Sequence, residues 1–362
     1  MDRLDTYAAI SGLHCALRAQ PRTKASGATN SSRKHYIICM HHLRPVSSTV
    51  LLLAGAYFAL AGTPTQSTPY WAFCLNPDTA VPVELDTKPR HVPGSDAAFT
   101  IAETQDLFSV PDWHPADHPA MPEVVAHGRK PDVFACGYCH LPNGMGRPEN
   151  SSLAGLPVAY IIHQVSDFRS GARKSSEPRH LPVANMISRE TKATAQEIAI
   201  AANYFSKLPR KPWIRVVETS TVPKTHVAGW MLVADTPAAT ESVGQRIIEM
   251  PEDLERTELR DDTSGFVAYV PEGSLKQGKW LVTTGGKGKT VACAKCHGPE
   301  LRGTGNVPSI AGRSPSYIVR QLFDMKSGAR SGALALQMRR QVAKLTVDDM
   351  IAIAAYASSL QP

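Results

Sequence analysis

Two short stretches of this chain carry cysteine and histidine at a spacing suited to holding a prosthetic group. They read Cys136-Gly-Tyr-Cys139-His140 and Cys293-Ala-Lys-Cys296-His297. The C-x-x-C-H pattern is the attachment sequence of c-type haem, in which two thiols add to the porphyrin vinyl groups and the adjacent imidazole binds the iron. One copy alone could also be a zinc or redox dithiol. Two copies predict two covalently bound haems c, with His140 and His297 as proximal iron ligands.

Both motifs lie inside an internal repeat, which favours haem over the alternatives. Residues 125–173 align without a gap to residues 282–330, and 20 of these 49 pairs are identical. A second block, 194–208, aligns to 346–360 with an offset of 152 instead of 157, so the loop between Arg173 and Thr194 is five residues longer in the first copy. The chain therefore contains a tandem duplication of one haem-binding unit.

A second axial ligand should occupy matched positions in the two copies. Met186 and Met338 stand eight residues before Thr194 and Thr346 respectively. A thioether is a soft, neutral ligand that favours ferrous iron, so we predict Met186 and Met338 as the distal ligands. His180, in the longer loop of the first copy, is the alternative to Met186.

Two further features concern the surroundings of the predicted haems. A ligating histidine usually donates its second ring N–H to a carbonyl; in the second copy the carbonyl of Pro308 is the candidate acceptor for His297, and Ser151 takes that position in the first copy. The matched Arg173 and Arg330 follow the helix preceding the distal loop. They could pair with haem propionates or be solvated.

The order of motifs resembles that of the class I cytochrome c fold. C-x-x-C-H is followed by Pro308-x-x-x-Gly312, a Tyr-x-x-x-Gln helix, the distal methionine and a closing helix with an aromatic residue. Two such units in tandem resemble the periplasmic dihaem electron carriers. The resemblance covers residues 119–209 and 272–362 and implies an all-α fold with crossing first and last helices. Gly278 would allow the close crossing in the second copy, whereas Met121-Pro122 predicts a shorter first helix in the first copy.

The segments outside the haem units are less regular. Residues 210–271 contain short β-prone runs among polar, proline-bearing stretches, which predicts a short irregular linker with one or two strands. Residues 62–118 are rich in proline and lack a long hydrophobic period, which predicts an extended N-terminal arm. His114 and His118 of this arm show no metal-ligand spacing.

The N-terminal region resembles an export signal. Residues 50–60 form an apolar run that ends in a small-x-small pattern, and Arg44 precedes it. We therefore expect residues 40–61 to be a signal peptide, residues 1–39 to be an over-extended, unstructured start, and the protein to be periplasmic. An uncleaved signal that anchors the protein to the membrane is the alternative.

Charge and composition narrow the class of partner. The formal charge is +7, but residues 1–61 carry seven Lys or Arg and two Asp or Glu, which leaves +2 for the remainder. A net charge this small does not indicate a surface that binds nucleic acid. No catalytic nucleophile or acid–base pair is visible, so we expect a dihaem cytochrome that transfers electrons between redox proteins such as a dehydrogenase and a terminal oxidase or reductase. The alternatives are a haem subunit of a dehydrogenase complex and a dihaem peroxidase.

Overall fold

A computed structural model describes residues 67–77 and 86–362, and its helices follow the internal repeat. The predicted signal peptide and the predicted over-extended start lie outside the described residues. Ahead of the first copy lie a short 3-10 helix, Tyr70–Ala72, and α1, Ile101–Thr104. Within the described ranges, no helix has both the length and the hydrophobicity needed to cross a membrane.

The two copies contain five matched pairs of helices. In chain order the first copy has α2 to α6, and the second has α8 to α12, with α7, Leu254–Glu258, between them. The first set is Glu123–Ala126, Cys136–His140, Val158–Arg169, Leu181–Ser188 and Ala195–Lys207; the second is Ser274–Thr284, Ala294–His297, Pro315–Ser327, Ala333–Val342 and Val347–Ser359. Two further 3-10 turns are Glu190–Lys192 and Pro299–Leu301.

The closing helices α6 and α12 begin at equivalent capping boxes. Thr194 accepts a hydrogen bond from the backbone N–H of Glu197, whose side chain accepts from the Thr194 backbone. Thr346 and Asp349 make the same reciprocal pair. Each box satisfies two backbone donors at the start of its helix. The two closing helices therefore begin at positions that the alignment of the two copies pairs with each other.

The first helices of the two copies differ as the sequence predicts. Helix α2 has only 4 residues, whereas α8 has 11. Gly278 of α8 lies directly against the backbone of α12, where a β-carbon would overlap the carbonyl of Ala352 and meet the β-carbon of Tyr356. The absence of a side chain at Gly278 is therefore what permits the close crossing of α8 and α12.

The region between the copies contains more β-structure than one or two strands. Seven short strands, β1 to β7, are Ile214–Glu218, Thr221–Pro223, Thr225–Ala228, Met231–Ala234, Thr240–Ser242, Ile248–Pro251 and Phe266–Val270. They form a three-stranded sheet in the order β1-β7-β6 and two hairpin-like pairs, β2-β5 and β3-β4. The prediction was too low because several of the additional strands are short and polar and form only through pairing with partners elsewhere in the linker, as β2 and β5 do.

This linker region also contributes to the core of the second copy. Ile247, just before β6, and Ala268 and Val270 of β7 belong to the same hydrophobic cluster as Leu281 of α8 and Ile351 of α12. An all-α description therefore applies to the two repeat copies and not to the described chain as a whole. Burial of this shared apolar surface ties the linker to the second copy.

The N-terminal arm packs at several points along the rest of the chain. Phe73 lies in the hydrophobic cluster of the second copy, and Val110 packs with Tyr138 of the first attachment motif. Trp113 is 1% exposed, and its indole N–H donates to the carbonyl of Leu259, 2.8 Å away. The arm therefore reaches both copies and the linker.

Candidate functional site

The first attachment motif occupies the single turn of α3. The Nδ1–H of His140 donates to the carbonyl of Ser151 at 2.8 Å, which leaves the lone pair of Nε2 available to a metal. Burial lowers the pKa of His140 to about 4, against the opposing effect of the Ser151 hydrogen bond. The imidazole is therefore neutral at pH 7, which is the state that binds iron.

The second motif repeats this arrangement at α9. The Nδ1–H of His297 donates to the carbonyl of Pro308 at 2.8 Å, and burial lowers the pKa of His297 below its ordinary value. Both acceptors are the carbonyls that the repeat register predicts. The turn after the motif differs, because Leu141 has a φ of 63° where the second copy has Gly298 at 79°. A side chain in this left-handed region is strained, which explains why glycine suits the position better.

A single cleft in the first copy brings the predicted site residues together. Cys136, Cys139, His140 and Met186 all line this cleft. The volume not filled by atoms, including the part open to solvent, is about 1230 Å³. Most of the wall is apolar, with Phe134, Leu156, Ile161, Val165, Phe168, Ile198 and Phe205 among its residues. A mostly apolar lining with a few polar groups is that of a cofactor site. Two thiols and an imidazole from α3 and a thioether from α5 fit a haem.

His180, the alternative distal residue, is not among the residues that line this cleft. It lies just before α5, is 1% exposed and packs edge-on against Phe73, with ring centroids 5.6 Å apart. Burial lowers the pKa of His180 to about 3, and Arg320 acts in the same direction. The geometry therefore favours Met186 over His180.

In the second copy, the corresponding residues lie around one hydrophobic cluster. Cys293 and Met338 are partly buried and pack against its edge, while Met325 is inside it. Cys296 is exposed. Met325 and Met145 of the first copy are buried core residues. Neither aligns with a methionine in the other copy, which agrees with a packing role.

Arg173 and Arg330 meet where the two copies face each other. They form an isolated antiparallel bridge through their backbones. The Arg173 guanidinium donates to Gln164 of its own copy at 3.0 Å and to Gln321 of the other at 3.1 Å. The Arg330 guanidinium donates to Gln321 at 3.0 Å and to Gln164 at 2.6 Å. Each arginine thus contacts both copies with pseudo-twofold symmetry.

The symmetry extends to two tyrosines of the same helices. Arg173 donates to the hydroxyl of Tyr317 at 3.2 Å, and Arg330 donates to the hydroxyl of Tyr160 at 3.0 Å. Tyr160, Gln164, Arg173, Tyr317 and Gln321 all line the first cleft. Residues of the second copy therefore form part of the wall of that cleft.

Neither of the two buried guanidiniums has a direct carboxylate partner in the part of the chain that the structure describes. Both arginines are at most 8% exposed, and no carboxylate of the described residues forms an ion pair with either. Burial raises the pKa of Tyr317, but Arg173 and Arg330 outweigh it and lower that pKa to about 8. Buried charges are normally paired, so this site is suited to an anionic group, such as the carboxylates of a haem.

Sequence reasoning did not assign these roles to Tyr160, Gln164, Tyr317 and Gln321, although a signal was present. All four positions are identical between the copies. Polar residues on the buried face of an amphipathic helix need partners. Matched polar residues in both copies are what a symmetric contact between the copies requires.

The linker also covers the first attachment motif. The Arg260 guanidinium lies 3.5 Å from the centre of the Tyr138 ring. It also donates to the carbonyl of Tyr138 at 2.9 Å. Because Tyr138 lies between Cys136 and Cys139, this stacked arginine fixes the peptide that carries the two thiols.

Comparison with known proteins identifies c-type cytochromes as relatives of this chain. A cytochrome c4 of Azotobacter vinelandii is 32% identical over 232 residues, which cover 62% of this chain and 84% of that protein. A thiosulfate dehydrogenase electron acceptor of Thiomonas intermedia is 28% identical over 207 residues, or 56% of this chain and 67% of that protein. No family model matches the chain.

Among solved structures, reduced cytochrome c4 from Pseudomonas stutzeri aligns with 62% of this chain and 93% of its own, at a TM-score of 0.41 and 21% identity. The family assignment follows from the sequence similarity to the Azotobacter protein over most of that protein's length. This chain belongs to the cytochrome c4 family of tandem dihaem c-type cytochromes, and it transfers electrons to redox partners.

Proposed function

We propose that each copy of the repeat holds one haem c through the residues identified above. Cys136 and Cys139 would form the thioether links to the first haem, and His140 and Met186 would bind its iron. Cys293 and Cys296 would hold the second haem, and His297 and Met338 would bind its iron. The observation that carries this proposal is the single cleft lined by Cys136, Cys139, His140 and Met186.

Each haem, when bound, supplies a reversible one-electron couple whose potential a methionine–histidine ligand pair raises. The protein contributes orientation and access. The carbonyls of Ser151 and Pro308 hold the two imidazoles in the tautomer that presents Nε2. Met186 and Met338 would supply the second iron ligand and so keep small molecules from the metal. These roles suit an electron carrier better than a peroxidase, which needs an accessible iron.

Arg173 and Arg330 would bind the propionates of the two haems at the contact between the copies. Neither guanidinium has a direct carboxylate partner among the described residues, and Arg173, Tyr317 and Gln321 all line the first cleft; both observations support this role.

The partners are other redox proteins, with a dehydrogenase as donor. A relative named as a thiosulfate dehydrogenase electron acceptor supports this class of donor. The protein functions in the periplasm, a location typical of this family, either as a diffusing carrier or as a haem subunit in a dehydrogenase complex.

Carbon monoxide and peroxide test the carrier function. The reduced native protein should bind carbon monoxide slowly and turn over peroxide negligibly, because a tethered methionine must leave the iron first. Stopped-flow absorbance measures both reactions, and Met186→Ala serves as the positive control because it opens one site. Rapid carbon monoxide binding to the native protein, or peroxide turnover at enzymic rates, would identify a dihaem peroxidase instead.

A further inference from the structure

A group of three metal-ligand side chains lies outside the haem sites. His114 comes from the N-terminal arm, and Asp261 and Asp262 follow α7 in the linker. One nitrogen of the imidazole and one oxygen of each carboxylate all lie within 4.8 Å of one another. The residues are 147 positions apart in the chain, so only the fold brings them together.

Asp262 is the feature that calls for a ligand. The residue is 6% exposed, and neither of its carboxylate oxygens has a hydrogen-bond partner among the described residues. A buried carboxylate with no partner for either oxygen is costly unless a cation compensates it.

The neighbouring His118 does not provide the missing partner of Asp262. The Nε2 of His118 lies 3.1 Å from a carboxylate oxygen of Asp112, and its Nδ1 lies 2.9 Å from the carbonyl of Pro119. His118 thus has its own acidic partner and a backbone partner. His114 is the imidazole that shares the cluster with Asp262.

The other two members are already placed as ligands would be. The Nε2 of His114 lies 3.1 Å from the Oδ1 of Asp261. Ligand atoms around a tetrahedral zinc ion, with bonds of about 2.0–2.2 Å, are roughly 3.4 Å apart. Asp261 is held in place by Arg256, at 2.7 Å, and by the backbone N–H of Thr263, at 2.9 Å. Only a small adjustment would place an ion between His114 and Asp261.

We propose that His114, Asp261 and Asp262 form a binding site for a divalent transition-metal ion of the zinc type. One imidazole and two carboxylates are ligands that such an ion accepts, with water in the remaining position. Calcium and magnesium prefer all-oxygen sites with more ligands. The side chain of His114 is 10% exposed, which gives the ion a route from solvent.

The site would join the arm to the linker beside the first haem. Trp113, next to His114, already donates to Leu259, and Arg260, next to Asp261, stacks on Tyr138. The side-chain amide of Asn143, three residues after His140, donates to the backbone carbonyl of Asp262. A bound ion would therefore fix the linker segment that covers the first attachment motif.

Zinc binding to the dihaem protein tests the proposal. We expect calorimetric titration of metal-depleted native protein with Zn²⁺ to show one tight site. Zinc-edge X-ray absorption should show only nitrogen and oxygen ligands. Asp262→Asn and His114→Gln should each weaken zinc binding by 10-fold or more. Asp117→Asn, which removes an exposed carboxylate from the same arm, should leave it unchanged.

Thermal unfolding provides a second readout that separates a metal site from a structural role. Without metal, Asp262→Asn should unfold at the same temperature as the native protein or higher, since it removes an unpaired buried charge. Added zinc should raise the unfolding temperature of the native protein but not that of the variant. Absence of a tight zinc site in the native protein, or equal zinc affinity in Asp262→Asn and Asp117→Asn, would overturn the proposal.

Discussion

Replacing Met338 with leucine should remove the thioether–iron absorption band of one haem and lower its reduction potential. Leucine keeps nearly the same volume, so packing should change little, while the soft ligand that favours ferrous iron is lost. Axial ligands span about 0.8 V in haem proteins, so we expect a shift on the order of 0.1–0.3 V. Met186→Leu should do the same for the other haem. Near-infrared absorption and spectroelectrochemical titration measure the two effects.

Two other methionines provide matched controls for this experiment. Met145 and Met325 are buried core residues, one in each copy, and their replacement with leucine should leave band and potential unchanged. His180→Leu should also leave the first haem unchanged. An unaltered spectrum in Met186→Leu together with an altered one in His180→Leu would mean that His180 is the distal ligand.

Removing the charge of the two buried arginines should lower the potentials of both haems. The change is Arg173→Gln with Arg330→Gln, which leaves the anionic propionates uncompensated and so stabilises ferric iron. For a separation of about 10 Å and an effective dielectric constant of about 20, one unit charge contributes roughly 1.7 kcal/mol. This corresponds to about 70 mV for a one-electron couple. Because each arginine contacts both copies, we expect both potentials to fall together.

Charge and geometry can be separated at this contact. Arg173→Lys with Arg330→Lys keeps the charge but loses the forked hydrogen bonds, so the potentials should stay near the native values. Arg215→Gln removes an exposed, ion-paired arginine of the linker and should have little effect, because surface charges are screened. If the glutamine pair changes the potentials no more than Arg215→Gln does, the arginines do not bind the propionates.

Local sequence rules predicted much of the haem units. The register of the repeat predicted the helices that precede Arg173 and Arg330. The resemblance to the class I cytochrome c fold implied the crossing of α8 and α12, and the lack of a side chain at Gly278 is what allows it. The hydrogen bonds from the two proximal imidazoles to Ser151 and Pro308 were also predicted, because the repeat places equivalent carbonyls at both sites. These features depend on contacts between nearby residues or on the symmetry of the duplication.

Features that depend on distant contacts were not predicted. Strands such as β2 and β5 have little hydrophobic pattern of their own, and they form because each supplies the other's hydrogen bonds. His114 showed no ligand spacing in the sequence, since Asp261 and Asp262 reach it only through the packing of the arm on the linker. The hydrogen bonds that Arg173 and Arg330 each make to the other copy likewise require the packing of one copy on the other.

The number of covalently attached haems tests the central claim most directly. Native protein is denatured and extracted with acid–acetone, and the haem that stays with the chain is quantified as its pyridine haemochrome. Thioether links at Cys136, Cys139, Cys293 and Cys296 predict two haem equivalents per chain, each with both vinyl groups saturated. A value of one equivalent, or none, would contradict the account.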